Sequence, residues 1–478
     1  MTSVHDTGVT GALGELSRFR HKFYQSLSAR ADTLFELTDA VLCSHGPVTS
    51  LAELSLAAEH RRGHGALYDA VNHGRIEVNR LRVTLAGLPL PRAADGRLVL
   101  AVDVSPWLRP DAATSAQRLF CHTYGRNHGQ AQMIPGWPYS FIAALETGRT
   151  SWTAMLDIQR LGPADDPTAV TATQLRSVVN RLITAGHWTV GEPQILIVAD
   201  AGYDITRLAF VLADLPVILL GRLRSDRVLR LPAPPRLPGT NGPPPKHGGE
   251  FALARPETWP APQHTTHTPT THYGTASATS WDRLHPRLTH RTSWLEHEGE
   301  LPILAGTLIR LQVDHLPGDR DPKPVWLWCS ATDATPENVD RWWQAFLRRF
   351  DIEHTFRLFK QTLGWTRPKI RTPEAADRWS WLIIVAYTQL RLARPIVEDC
   401  RKPWERPTPG RRLSPARVRR GFRNIRPATM LPASAPKPCQ PGPGRPSGSL
   451  NRHRAPRHDV GETVKRELSL QAARNQTG

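Results

Sequence analysis

Cysteine is scarce in this chain of 478 residues: Cys43, Cys121, Cys329, Cys400 and Cys439 lie far apart, and none forms a C-x-x-C pair. An odd, scattered set of five excludes a disulfide framework and a zinc ribbon. Long apolar runs are missing as well. The longest, Trp381 to Tyr387, falls far short of the roughly 18 residues a membrane-spanning helix needs, so no membrane partner is expected. The opening Met1-Thr-Ser-Val-His-Asp-Thr-Gly8 has no basic stretch followed by an apolar one, and a cytoplasmic protein without a secretory signal is the expectation. Lysine is the third shortage, with 8 among 61 basic residues against 53 arginines.

Positive charge is plentiful, at a formal +18, but unevenly spread. Residues 401–478 hold 18 Lys plus Arg and 4 Asp plus Glu, or +14, which leaves +4 for residues 1–400. The body therefore reads as an ordinary globular surface with an Arg-rich end. Arginine forks two hydrogen bonds to a phosphate or a guanine edge, so a polyanionic partner is favoured. With 40% of its residues apolar the chain is of normal globular composition, and its length calls for more than one domain.

Residues 1–95 read as a helical unit. Ser50 and Glu53 have capping-box spacing, and Leu51, Leu54 and Ala58 form an apolar stripe. After the Arg61-Arg62-Gly63-His64-Gly65 break a second helix runs from Ala66 to His73 and stops at Gly74. Two short helices about a Gly-containing turn suit a helix-turn-helix-like DNA-binding module or a plain bundle.

Residues 96–224 show strand patterns at Leu98–Val102, Leu119–Tyr124, Tyr139–Leu145 and Trp152–Ile158. A helical pattern from Thr171 to Ala185 precedes the apolar runs Ile195–Ala199 and Pro216–Leu220. Strands in succession and then alternating with helices predict an α/β unit, a mixed sheet flanked by helices. Pattern fails from about 231 to 295, where Pro, Gly, Thr and His dominate, and strands return at Thr307–Val313 and Val325–Cys329. Residues 225–333 thus read as an insertion with a β-rich end. One long helix is expected from Pro336 to Gly364 and a buried one from Ala375 to Leu392, closing a 334–400 segment. Residues 401–478, rich in Pro, Gly and Arg, are expected to be a disordered tail whose removal leaves the body folded.

Two acids, Asp103 and Asp200, each follow directly on a five-residue apolar strand, where side chains of neighbouring strands can share a cleft. The long helix adds a third element. At 100° per residue, Phe346, Arg349, Glu353 and Lys360 occupy a stripe about 60° wide, and Asp351 points away from it. A solvated helix face with an Arg349–Glu353 ion pair is the alternative.

The spacing Phe346-x2-Arg349-x3-Glu353-x6-Lys360 resembles the Tyr-x2-Arg-x3-Glu-x6-Lys signature of a group of bacterial insertion-sequence DDE transposases that carry a β-rich insertion before the glutamate. Phe346 stands where that pattern has Tyr. The order also fits over residues 95–395: Asp103, then Asp200 in Ala199-Asp200-Ala-Gly-Tyr203, a long insertion, and Glu353 on a helix. The resemblance implies an RNase H-like mixed sheet flanked by helices, on which Asp103, Asp200 and Glu353 are catalytic and hold two Mg²⁺ ions, with Mn²⁺ able to substitute. It further implies cleavage at the element's inverted-repeat ends and transfer of the 3′-hydroxyls to target DNA, by a homodimer in the DNA complex, within the nucleoid. Arg349 and Lys360 would grip phosphates; Arg222 and Arg224, just past the Val217–Leu220 run, either extend that track or are plain surface arginines. A domesticated copy that only binds DNA, and an RNase H-like nuclease without strand transfer, remain alternatives.

Trp326 and Trp328 share a strand face by the period of two; similar transposases stack an insertion-domain Trp on a flipped base, and sheet core is the competing reading. Pro443-Gly444-Arg445-Pro446 resembles an AT-hook core, which would send Arg445 into a minor groove. His264, His267 and His272 offer metal ligands or a solvated polar loop.

Overall fold

Leu98–Val102 and Ile195–Ala199 are apolar at every position, as strands covered on both faces must be, and they pair in parallel at the centre of the protein. The structure, a computed structural model, describes all residues except 1–3, 125–130, 149, 237–242, 272, 292–293, 317–321, 409–411, 438–445, 450–452 and 463–478. The chain opens with α1 (Val4–Gln25), β1 (Leu27–Ala29), α2 (Ala31–Cys43), α3 (Leu51–Leu54), α4 (His64–His73), β2 (Arg75–Ile76) and α5 (Val78–Ala86). Next come β3 (Val99–Leu108), β4 (Leu119–Tyr124), β5 (Ala131–Leu145), β6 (Thr153–Arg160), α6 (Pro167–Thr184), β7 (Ile195–Ala199), α7 (Ile205–Val211) and β8 (Val217–Leu223). Then follow β9 (Val228–Arg230), β10 (Glu250–Ala252), β11 (His264–Pro269), β12 (Thr275–Leu284), β13 (Gly306–Val313) and β14 (Val325–Cys329). Four helices close the order: α8 (Pro336–Arg348), α9 (Phe350–Gln361), α10 (Pro373–Ala393) and α11 (Pro415–Ile425).

The result is a mixed α/β protein around a large mixed sheet of order β11-β12-β13-β14-β8-β7-β3-β5-β4, with β6 also on β5. β3, β7 and β8 run parallel, and the other pairings are antiparallel. Side chains alternate between two cores. Val99, Ala101, Leu196 and Val198 face the apolar layer built with α1, α2 and α8–α11, whereas Leu100, Val102, Ile197 and Ala199 face the layer of α6 and α7. Among the described residues no helix is long and apolar enough to cross a membrane.

The structure departs from the sequence reading in several places. The 225–333 segment does not fold apart from the sheet: β14 pairs with β8, so β11–β14 prolong the central sheet. β11 and β12 lie in the stretch that showed no pattern. In HTTHTP alternate residues are only half-buried, and TASATSWDRL buries Ala276, Ala278, Ser280, Trp281 and Leu284, a weak apolar alternation that pairing of β11 to β12 and of β12 to β13 nevertheless makes sufficient. In the N-terminal unit, Ser50 caps α3 by accepting from the Glu53 amide at 3.2 Å, but the helix ends at Leu54. The expected long helix is broken at Arg349. There the Arg349 amide donates to Phe346 O and the Ile352 amide to Arg349 O, both at 3.0 Å; these bonds span three residues, a 3₁₀-like step between α8 and α9.

Nor is the 401–478 region a uniformly disordered tail. Leu413, Val418 and Phe422 are fully buried where α11 packs on α2 and α10. Arg419 donates to Val41 O at 2.9 Å, and Arg426 donates at 2.8 Å to Asp39, which also accepts from the buried Arg20 at 2.7 Å. Farther on, the His458 amide reaches Ala113 O at 2.9 Å and the Gly461 amide reaches Arg118 O at 2.8 Å, beside the edge strand β4. Average composition missed this because a few apolar residues at helical spacing suffice to dock an otherwise Arg-rich helix.

Deleting residues 404–478 should therefore destabilise the body instead of sparing it. Re-exposing the faces covered by Leu413, Val418 and Phe422 costs on the order of 5 kcal/mol, at roughly 1.5–3 kcal/mol per side chain. A truncated chain with the unfolding midpoint of the full chain would show that α11 is not part of the fold.

Candidate active site

Strand parity decides which way the two aspartates point. Asp103 follows Val99 and Ala101 by steps of two, and Asp200 follows Leu196 and Val198, so both project toward the layer that contains α8 and α9. The parallel register ends at Val102 opposite Ala199, which makes Asp103 and Asp200 the next pair along. Asp103 is not at a strand end as expected. β3 continues to Leu108, paired to β5 with Asp103 opposite Phe141, while β7 stops at Ala199. β3 thus loses its parallel neighbour at Asp103, and that divergence opens the cleft. On the other side, Phe356 of α9 packs on Phe141 at 4.8 Å between ring centroids. Glu353, one turn earlier, is thereby carried over the same spot.

One guanidinium meets all three carboxylates. Arg349, only 3% exposed, donates from Nη1 to Asp103 Oδ2 at 2.8 Å. Its Nη2 lies 3.8 Å from Asp200 Oδ1 and 3.5 Å from Glu353 Oε1. The Phe346 and Phe350 rings stand 5.8 and 5.2 Å from the guanidinium carbon, and thereby fix its direction. Asp103 Oδ1 accepts from the Val104 amide at 2.8 Å.

Burial pushes the Asp103 carboxyl up to about 6; repulsion from Asp200 and Glu353 adds to this, while the Arg349 charge and the Val104 amide oppose it. Tyr203, quoted in the sequence motif without a role, has its hydroxyl sealed beside Asp103 and Asp200, and burial raises its pKa well above 10. Lys360 is half-buried, with Nζ 5.7 Å from the Trp365 ring, and burial lowers its pKa. Asp351, on the opposite side of α9, pairs instead with Arg348.

The other candidate residues fall outside this cluster. Arg349 was expected to grip phosphate; here its charge is committed to the three acids, and among the described residues no other cation pairs with them. Trp326 and Trp328 are 2% and 1% exposed: Trp326 packs among Trp259, Trp281 and Phe251, and Trp328 Nε1 donates to Leu284 O at 3.2 Å. Neither offers a ring face to a base. Arg222 is exposed at the end of β8, and Arg224 pairs with Asp226 at 2.9 Å. His264 and His267 sit on opposite faces of β11 and cannot share an ion, while His272 and Arg445 lie outside the described residues.

The donor chemistry suits a hard divalent cation: three carboxylates from three elements, with Asp200 Oδ1 buried and lacking a hydrogen-bond partner. Their common point is taken by the guanidinium, and among the described residues no group of three His, Cys, Asp or Glu side chains stands ready to cage a metal. A cation must replace or displace Arg349 there.

An acid cluster above the parallel strands of a mixed sheet is the kind of site that handles phosphate esters through bound cations. The family comparison agrees: residues 22–287 match the model of the DDE superfamily endonucleases, and the chain belongs to that family. The match includes Asp103 and Asp200 and ends before α9. No curated protein matches the chain.

Two outcomes test this cluster. Arg349→Ala should lower the unfolding free energy in chelator by about 3 kcal/mol, as for other broken buried ion pairs, and millimolar Mg²⁺ should restore more of it than the same ion adds to the wild type; equal Mg²⁺ shifts would separate Arg349 from the acids. Because the folded-state pKa of Asp103 is raised, to about 6 from 3.8, its favourable contribution is complete below pH 4 and is lost as pH rises through 6. Asp103→Asn should accordingly remove a stability decline between pH 4 and 6.5 in the metal-free protein, and an unchanged profile would place that titration elsewhere.

Proposed function

We propose that this DDE-family endonuclease is a DNA transposase of a bacterial insertion sequence, with Asp103, Asp200 and Glu353 as its catalytic carboxylates. The observation that carries the reading is the meeting of these three acids, from β3, the end of β7 and α9, around one cation. The strand order β6-β5-β3-β7-β8, antiparallel as far as β3 and parallel beyond it, supports an RNase H-like core that holds them.

The three carboxylates would hold Mg²⁺, or Mn²⁺ in its place; bound there, the ions supply an activated water and charge compensation for the leaving oxygen. In cleavage a water oxygen attacks a phosphodiester phosphorus, the 3′-oxygen departs with a proton, and a 5′-phosphate remains. In strand transfer the freed 3′-hydroxyl attacks a target phosphodiester, so one such bond replaces another without external energy. The protein's own residues orient and screen. Asp103, fixed by the Val104 amide, sets the cleft floor, and Glu353, half-exposed on α9, faces the incoming strand. Arg349 holds the acids together and, were they to hold a cation instead, its guanidinium would be placed to meet a phosphate oxygen. Lys360 and the exposed Arg222 add positive charge along the approach. A nuclease without strand transfer would share the first step only.

Asp200→Asn should reduce Mg²⁺-dependent nicking of a duplex carrying the inverted repeats that bound the gene by more than the roughly 10- to 100-fold typical of outer-shell metal residues, while leaving DNA affinity nearly unchanged. Wild-type nicking by this variant would remove Asp200 from the site. Nicks that are never joined to a second duplex would favour the plain nuclease.

A further inference from the structure

At the end of the sheet where β7 gives way to the 201–206 turn, and reaching into the α7 side of the sheet, lies a cavity of about 490 Å³, floored by residues 201–206 and walled by the end of β8 and the 286–291 stretch. Its position follows from register. Gly221 of β8 pairs with Ala199 of β7, so Arg222 is the neighbour of Asp200 one strand away. Arg222, Arg224, Arg227, Arg287 and Arg291 all line the cavity. Arg224 is neutralised by Asp226, but among the described residues no carboxylate lies within ion-pair distance of the other four. Asp204 is the one acid in the described lining, and its Oδ1 is engaged in capping α7, accepting from the Arg207 amide at 3.0 Å and from Thr206 Oγ1 at 2.9 Å.

Four exposed guanidinium groups without an ion-pair partner around one concavity raise the local positive potential, and an anion that enters lowers it. The anion's kind is limited by the aromatic residues. Trp294 and Trp328 line the cavity at 3% and 1% exposure, and Arg207 covers the Trp294 ring at 4.7 Å. With both tryptophan rings covered and Tyr203, the remaining ring of the described lining, half-buried with its hydroxyl sealed, the cavity offers little surface for base stacking and reads mainly charge and forked phosphate geometry. Its volume accommodates a nucleotide-sized stretch of one strand and is too small for a duplex.

We propose that this cavity seats the phosphates of an unpaired DNA strand running past Asp200, with Arg222, Arg227, Arg287 and Arg291 as its ligands. The identity of the polyanion rests on the DNA-cleaving reading above; the cavity's preference for a flexible single strand does not.

The test uses the full chain in chelator, titrated with a fluorescent single-stranded oligonucleotide of mixed sequence at several salt concentrations. Replacing Arg227, Arg287 and Arg291 together by Ala should flatten the slope of log K against log salt by about 2, at roughly 0.7 per lost phosphate contact. The corresponding triple Lys variant should keep most of that slope, since it keeps the charge. Parallel slopes for the Ala variant and the wild type would overturn the proposal, as would an equal loss in the Lys variant, which would indicate altered folding. An equal loss of slope on a blunt duplex would overturn the assignment to an unpaired strand. Should the wild type fail to nick any duplex while the Ala variant still loses slope, the catalytic reading falls and the cavity stands. Nicking with parallel slopes would leave the catalytic reading standing and overturn the cavity assignment.

Discussion

The arrangement depends on a guanidinium that water cannot reach. A buried arginine needs counter-charge, and three carboxylates clustered this closely need a cation; each requirement satisfies the other. Arg349 meets Asp103, Asp200 and Glu353 at the point where α8 gives way to α9. Ion clusters of this kind add little net stability compared with apolar packing, but removing one member is costly. Their larger effect is on arrangement: α9 can sit on the sheet only where its neighbouring arginine finds the two aspartates.

Apolar packing provides the stability and the precision. Phe141, opposite Asp103 on β5, contacts Phe356 at 4.8 Å and Trp365 at 5.2 Å. Tyr139, two residues away on the same face, contacts Trp365 at 5.6 Å and donates to Asp377 of α10 at 2.8 Å. The acid cluster is therefore anchored by ring contacts on one side and by strand register on the other. Glu353 is the most exposed of the three acids, at 52% against 40% for Asp200 and 17% for Asp103, so the helix-borne acid has the most freedom to adjust to a ligand.

The two ends of the chain complete the same layer. Arg20 of α1, Asp39 of α2, Gln389 of α10 and Arg426 beyond α11 form one largely buried polar network. α4, whose turn could suit DNA docking, buries Leu67, Ala70 and Val71 against that layer and keeps its other side exposed. A unit that sequence alone could assign to a helix-turn-helix or to a plain bundle thus serves at least as bundle, supporting the helices behind the acids.

Local pattern was enough to place β4, β7 and β14, whose runs coincide with the strands observed. Parity and helical spacing likewise put Asp103, Asp200, Arg349 and Glu353 on identifiable faces, because neighbours along the chain fix those periods. What stayed illegible depended on partners far away in sequence. β11 and β12 have only a weak apolar alternation and become strands by pairing, β11 with β12 and β12 with β13; α11 is Arg-rich and is held by α2 and α10. Arg349 read as a phosphate-binding cation because its real partner, Asp103, lies 246 residues upstream. The sequence by itself determined which residues face which way. Only the tertiary structure decided that a buried arginine and three acids would meet, since that depends on contacts between distant segments that excluded water from around a charge.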